Sequence, residues 1–375
     1  DLYKQLNIGS TTHDLVYGFE SEEASYSRPK DRYETNLTTG EINRVFFGPE
    51  IFPNKAFPDS EVVRDAFYLS DRVSLSESTT FVFGLRHDNY EQKAIEDSLS
   101  AAGNPANHPL LPREDSETSL KLGVIQDLND TVSVFAQVAE GYRNPDFTDA
   151  YNTYTNYAFG YTIIPNPDLK AEYSTGYELG LRGTKEEVKW SLVLYKNNFK
   201  DFIDSNLYSS PPVNGILQVR YQNLESVRTK GVEFEIKRNI SETLSSFAGF
   251  ALNEADNLTN DAITPDQLKY GLSHISKSGN VSTNYVMTYM ADSPRLPPIV
   301  GRSGSTPAVF APRSITHDVF IDLDLSENFD LRLGIRNITD EKYWDWVSVA
   351  GLAQGTAQQY LNPGTNLSLD LRYTF

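Results

Sequence analysis

The chain has 375 residues, no cysteine, two methionines and a formal charge of −18. The missing cysteine excludes a disulfide framework or a thiolate metal site. The acidic balance excludes nucleic-acid binding, which needs clustered Lys and Arg against phosphate. Mean hydropathy is −0.44 and no run approaches 18 apolar residues, so no transmembrane helix is expected. A membrane is still open to the chain, because a barrel strand needs only about ten residues of alternating character.

The chain opens on Asp1-Leu2-Tyr3-Lys4, with neither the basic start nor the apolar core of a signal peptide. A processed precursor or a fragment is therefore expected. Period-two alternation then predicts strands over 13–26, 60–75, 79–90, 117–128, 131–142, 172–183, 187–203, 228–239, 243–254, 266–274, 281–291, 313–325, 328–338 and 366–375. Phe81, Phe83 and Leu85 alternate with Val82, Gly84 and Arg86; Leu331, Leu333 and Ile335 alternate with Arg332, Gly334 and Arg336. The second face often carries charges of both signs, which suits a wet lumen better than a sheet-on-sheet core. Arg86, Arg182, Arg332 and Arg336 are expected on that face, in mixed networks with neighbouring acids, since an unpaired buried charge is costly.

The connections fall into two alternating classes. Short polar turns include 76–78, 129–130, 184–187, 239–243, 276–280 and 326–328; long stretches cover about 27–59, 91–116, 143–171, 204–227, 255–265, 292–312 and 339–365. Loops of that length are uncommon in compact soluble domains, whereas short turns at one end and long loops at the other describe outer-membrane barrels. The expected fold is all-β, an antiparallel transmembrane β-barrel portion of about fourteen strands. Tyr142, Trp190, Tyr285, Tyr289, Tyr343, Trp344 and Trp346 fall at or near strand ends, where amphipathic rings favour the membrane interface.

Several segments resemble the C-terminal part of TonB-dependent outer-membrane receptors. Gly141-Tyr142-Arg143-Asn144-Pro145 resembles the family's Gly-Phe-Arg-Ala-Pro element, and Asn166-Pro167-Asp168-Leu169-Lys170-Ala171-Glu172 its Asn-Pro-Asn/Asp-Leu-Lys-Pro-Glu element. Thr229-Lys230-Gly231-Val232-Glu233-Phe234 and Arg336-Asn337-Ile338-Thr339-Asp340-Glu341-Lys342-Tyr343 are also similar to family patterns. Tyr373-Thr374-Phe375 resembles the aromatic end signal read by the barrel assembly machinery, so Tyr373 and Phe375 are its expected carriers. The spacing between the first two elements resembles the haem, haemoglobin and transferrin receptor branch. The resemblance implies a 22-strand barrel around an N-terminal plug, of which this chain would supply the C-terminal strands without the plug. It also implies outer-membrane lipid around the barrel in a Gram-negative bacterium, and a TonB complex acting through an N-terminal region outside this chain.

In haem receptors of that branch the loop equivalent to 143–171 carries an iron-binding histidine. None of His13, His87, His108, His274 and His317 lies there; the loop offers Tyr151, Tyr154, Tyr157 and Tyr161 instead. Tyrosine phenolate can ligate haem iron, although such tyrosines more commonly anchor or pack. His108, in Asn107-His108-Pro109, is a further loop candidate, with plain surface placement the commoner role. No Gly-x-Ser-x-Gly elbow, phosphate loop, His-Glu-x-x-His or Cys/His cluster is present, so an enzyme is not expected, nor an intrinsic cofactor. The leading reading is a transporter for an iron-bearing ligand, haem or a haem-protein. The alternatives are a ferric-siderophore receptor of the same fold, a self-contained channel, or an adhesion barrel.

Overall fold

A computed structural model of the chain describes all residues except 45–49, 51, 105, 158–159, 167, 257–262, 297–298 and 302–303; the side chains of 205–211, 299–301 and 304–305 are also outside the description. Pro167 therefore lies outside the described residues. Fifteen long strands are described: β1 Leu2–Ile8, β2 Thr11–Tyr26, β3 Asp59–Ser74, β4 Thr79–Ile95, β5 Arg113–Asn129, β6 Val132–Arg143, β7 Glu172–Lys185, β8 Val188–Val213, β9 Ile216–Asn239, β10 Leu244–Asp256, β11 Gln267–Ile275, β12 Val281–Met290, β13 Ser314–Ser326, β14 Phe329–Arg336 and β15 Asn366–Tyr373. All fourteen expected strands are among them. The addition is β1, whose alternation of Leu2, Leu6 and Ile8 is interrupted by Lys4 on the same face. Among the described residues no helix is long and apolar enough to cross a membrane, which says nothing of strands.

The chain divides into two compact units. The first holds Asp1–Gly123, Val138–Gly176 and Asn198–Val227; the second holds Val124–Gln137, Tyr177–Asn197 and Arg228–Phe375.

In the first unit β1, β2, β3 and β4 form an antiparallel meander. Register places Tyr17, Leu69 and Leu85 in one row, and Phe19, Phe67 and His87 in the next. That face is apolar yet exposed, with Phe19 at 67% and Phe67 at 49%, as a strand facing lipid requires. The opposite face is ionic. Arg86 reaches Glu20 at 3.0 Å and Asp88 at 2.9 Å, and Arg64 reaches Glu20 at 3.1 Å. This is the expected mixed network, and it keeps Asp88, which is almost fully buried, from standing as a lone charge. Gly18 makes room there for Tyr68: a Cβ would come within 2.4 Å of the Tyr68 hydroxyl and displace the ring.

In the second unit β9, from Arg228 onward, and β10 to β15 form the same kind of meander. Ile321, Leu333 and Leu369 align in one row, while Asp322, Arg332 and Asp370 align on the other face, where Arg332 pairs with Asp322. Leu367, Leu369 and Leu371 are all more than half exposed. Burying such a face in acyl chains gains about 25 cal/mol for each Å2 taken out of water, so a bilayer can take the place of a core.

Apolar side chains are buried mainly in the long connections. Phe57, Ala150 and Tyr151 form one cluster, and Val309, Ala311, Trp346, Val349 and Ala357 form another. Asn337, left-handed at φ +50° and 2% exposed, fastens the start of the connection that follows β14. Its amide donates to the Glu341 carbonyl at 2.9 Å and its side-chain oxygen accepts from the Glu341 N–H at 2.9 Å.

One expected loop is corrected. Residues 204–227 belong largely to an extended hairpin, because β8 runs to Val213 and β9 starts at Ile216. Asn214 and Gly215 join them at φ +52° and +77°, the double left-handed geometry for which Asn-Gly is favoured in two-residue turns.

Candidate functional site

The connection between β6 and β7 is held at both ends. Arg143, the last residue of β6, places Nε 2.6 Å from Glu172 at the start of β7, and Nη1 2.9 Å from Asp149. Helix α2, Phe147–Tyr151, begins with a capping box in which Asp146 accepts from the Asp149 N–H at 2.8 Å. Burial pushes the Asp149 carboxyl upward and the neighbouring Asp146 charge adds to the effect; the Arg143 guanidinium opposes both without reversing them. Pro145 is fully buried, and Asn144 Oδ1 is buried with no hydrogen-bond partner among the described residues. Further on, Asn166 donates to the Tyr221 carbonyl at 2.9 Å and accepts from the Asp168 N–H at 3.2 Å. Leu169 is buried while Asp168 is exposed, and Lys170 exchanges hydrogen bonds with Asn223 at 2.8 and 3.0 Å. Arg143, Asn166, Lys170 and Glu172 thus act as clamps, and Pro145, Leu169 and Ala171 are buried as packing.

The four tyrosines separate by environment. Tyr151 is 1% exposed, packs with Phe57 and Phe147, and donates its hydroxyl to the Leu111 carbonyl at 2.9 Å. Burial pushes its phenol upward, away from the phenolate an iron ligand needs. Tyr154, Tyr157 and Tyr161 are half-buried. Tyr154 and Tyr161 meet edge to face at 6.3 Å, on a short antiparallel ladder of Thr155–Asn156 with Tyr161–Ile163. That ladder then rides in parallel on Leu217–Val219 of β9. His108 is half-buried in a different connection, where its backbone is bracketed by the Asn104 side chain at 2.9 and 3.0 Å. The structure thus brings Tyr154 and Tyr161 together and leaves Tyr151 as a packing residue. Among the described residues no group of three or more His, Cys, Asp or Glu could hold a metal ion.

The β2–β3 connection supplies residues that local sequence did not mark. Lys30 Nζ sits 4.3 Å from the Tyr154 ring and 5.3 Å from the ring of Phe52, and pairs with Glu50 at 2.8 Å. Thr153 donates its N–H to the Ala56 carbonyl at 2.7 Å. Lys55, 5% exposed on its side chain, pairs with Asp59 at 2.8 Å and with Asp97 at 2.7 Å. Asp97 also caps helix α1, Ser98–Gly103; its carboxyl is held down at about 2, first by the hydrogen bond from Lys55. The signal for Lys30 was its chemistry alone, because nothing in its neighbours points to a tyrosine in another connection. At the far end of the chain Tyr373 and Phe375 are exposed, their rings 5.6 Å apart.

Long antiparallel strands with an exposed apolar face, short turns and long opposing connections define an outer-membrane-type β-barrel protein. Comparison with known proteins narrows this class. The family model described as TonB dependent receptor-like, beta-barrel matches residues 1–338, and the chain belongs to that family, whose barrels reside in the outer membrane. The curated relatives are receptors and transporters rather than enzymes. "Hemoglobin and hemoglobin-haptoglobin-binding protein A" of Haemophilus influenzae is 23% identical over 88% of this chain and 32% of its own length. "Hemoglobin-haptoglobin utilization protein B" of Neisseria meningitidis is 21% identical over 100% of this chain and 52% of its own length. The chain thus spans roughly a third to a half of these relatives. Among solved structures, the copper transporter OprC superposes with TM-score 0.71 at 16% identity, covering 100% of this chain and 57% of that one. The ferric enterobactin receptor PfeA of Pseudomonas aeruginosa does so with 0.70 at 17%, covering 100% and 53%. At such identity these two show the fold.

Proposed function

We propose that the chain is the barrel portion of a TonB-dependent receptor, carrying an iron-bearing ligand, haem or a haem-protein, across the outer membrane of a Gram-negative bacterium. The observation that carries this reading is the match of nearly the whole chain to one relative named for binding haemoglobin and haemoglobin–haptoglobin and another named for haemoglobin–haptoglobin utilization. The half-buried tyrosines of the 144–171 connection supply compatible chemistry, since a phenol can bind ferric iron. In this reading the long connections face the ligand, the apolar strand faces meet outer-membrane lipid, and the TonB complex acts through a region outside this chain. The exposed Tyr373 and Phe375 would be read by the barrel assembly machinery. Haem would be cargo rather than a resident cofactor.

The test is growth of a haem-requiring strain expressing the intact gene, supplied with haemin or haemoglobin, with and without TonB. Growth on either source only when TonB is present is expected. Growth that ignores TonB, or uptake of a ferric siderophore in place of haem, would overturn it.

A further inference from the structure

Two connections far apart in sequence meet at one point of the first unit. Tyr154 and Tyr161 are fixed relative to each other by backbone: the Ile163 N–H donates to the Tyr154 carbonyl at 2.8 Å, and the Leu217 N–H donates to the Gly160 carbonyl at 2.8 Å. Their two rings make an edge-to-face pair, and neither hydroxyl has a hydrogen-bond partner among the described residues. Against the Tyr154 ring lies the Lys30 ammonium, 4.3 Å from its centroid, held by Glu50. An ammonium has three N–H donors, and Glu50 is its one carboxylate partner among the described residues. Lys30 itself rests on a short pairing of Pro29–Lys30 with Asn54–Lys55, and its ammonium also lies 5.3 Å from the ring of buried Phe52.

The arrangement presents two free phenol oxygens, aromatic surface and a positioned cation side by side. A neutral aromatic ligand would leave the ammonium's remaining N–H donors unused, and a simple inorganic anion would leave the phenol oxygens unused. A flat aromatic molecule with a carboxylate at its rim and iron at its centre uses all three. We propose that Lys30, Tyr154 and Tyr161 form the seat of an iron porphyrin dicarboxylate, with Lys30 binding a rim carboxylate and selecting for the free acid. The inference rests on the haem reading above and adds the residue that recognises the charged rim. The pre-set ladder matters because a site already ordered avoids the entropic cost of arranging its side chains on binding.

The test uses the intact purified receptor, titrated by visible absorbance with haemin and with haemin dimethyl ester, each corrected for partition into micelles. Wild type should bind the free acid at least about tenfold more tightly than the ester, the scale of one charge-assisted contact. Lys30→Met combined with Glu50→Gln, which leaves no stranded carboxylate, should lose that preference while ester affinity stays within about twofold. Lys30→Arg should keep the preference. Tyr154→Phe or Tyr161→Phe should change the haemin spectrum, and Tyr151→Phe should not. Equal weakening of acid and ester in the Lys30 variant would mean a structural role and overturn the inference. So would a wild type that binds both equally. A wild type that binds neither overturns the haem reading itself.

Discussion

Tyr151 offers the sharpest separation between packing and ligand binding. Its ring is 1% exposed among Phe57, Ala150 and Phe147, and its hydroxyl donates to Leu111 at 2.9 Å. Tyr151→Phe keeps the ring and removes the hydroxyl alone. The carbonyl of fully buried Gln92 lies 3.3 Å from the same hydroxyl, whereas Leu111 as a residue is 55% exposed, and losing this one donor should cost about 1 kcal/mol. Local opening of 144–171 should then rise about fivefold. Tyr151→Ala empties the cluster and should cost about 3–5 kcal/mol, enough to leave the segment largely open. The assay is amide hydrogen exchange across 144–171 in the intact receptor, where protection follows the opening equilibrium. Haem titration is run in parallel. The reasoning is refuted if Tyr151→Phe leaves exchange unchanged but alters the haem spectrum, because the hydroxyl would then face ligand rather than Leu111.

Three further outcomes follow from the same structure. The Asp97 carboxyl sits below its ordinary value, so the stability gained from Lys55 is present above about pH 4 and is lost as pH falls through about 2; exchange at 96–112 should rise over that window, and Asp97→Asn should abolish the step. Asn337→Ala should cost about 3–5 kcal/mol, combining three lost side-chain hydrogen bonds at a buried site with a left-handed backbone that alanine resists; the temperature at which the barrel loses its compact mobility on a semi-native gel reads it. Leu85→Arg on the apolar face of β4 should cost about 2–4 kcal/mol in bilayer, while Ile95→Arg, on the same face at the strand's end, should cost about 1 kcal/mol or less; denaturant titration of receptor folded into vesicles compares them.

The strands were legible because each alternation is written in consecutive residues. Phe81-Val82-Phe83-Gly84-Leu85-Arg86 needs no partner to declare its two faces. β1 was not, because Lys4 occupies the lipid-side row beside Leu2 and Leu6 and breaks the pattern. The β8–β9 extension was hidden by its polar run, although Asn214-Gly215 was the available turn signal. The site was less legible for a different reason. Tyr151 and Tyr154 sit three residues apart in the same kind of sequence, yet one is sealed by Phe57 and Leu110 and the other lies under Lys30. Those neighbours come from other connections, so burial and charge at each phenol are set by contacts that no local window contains.

The three-residue parallel ladder of Tyr161–Ile163 on Leu217–Val219 also constrains how such a receptor can diversify. Exchanging 144–171 alone for a stretch of another length or backbone course would break the ladder and part Asn166 from the Tyr221 carbonyl and the Lys170 backbone from Asn223. The connection and the hairpin tip are therefore one inheritable cassette. A change in the length of either stretch should then need a matching change in the other.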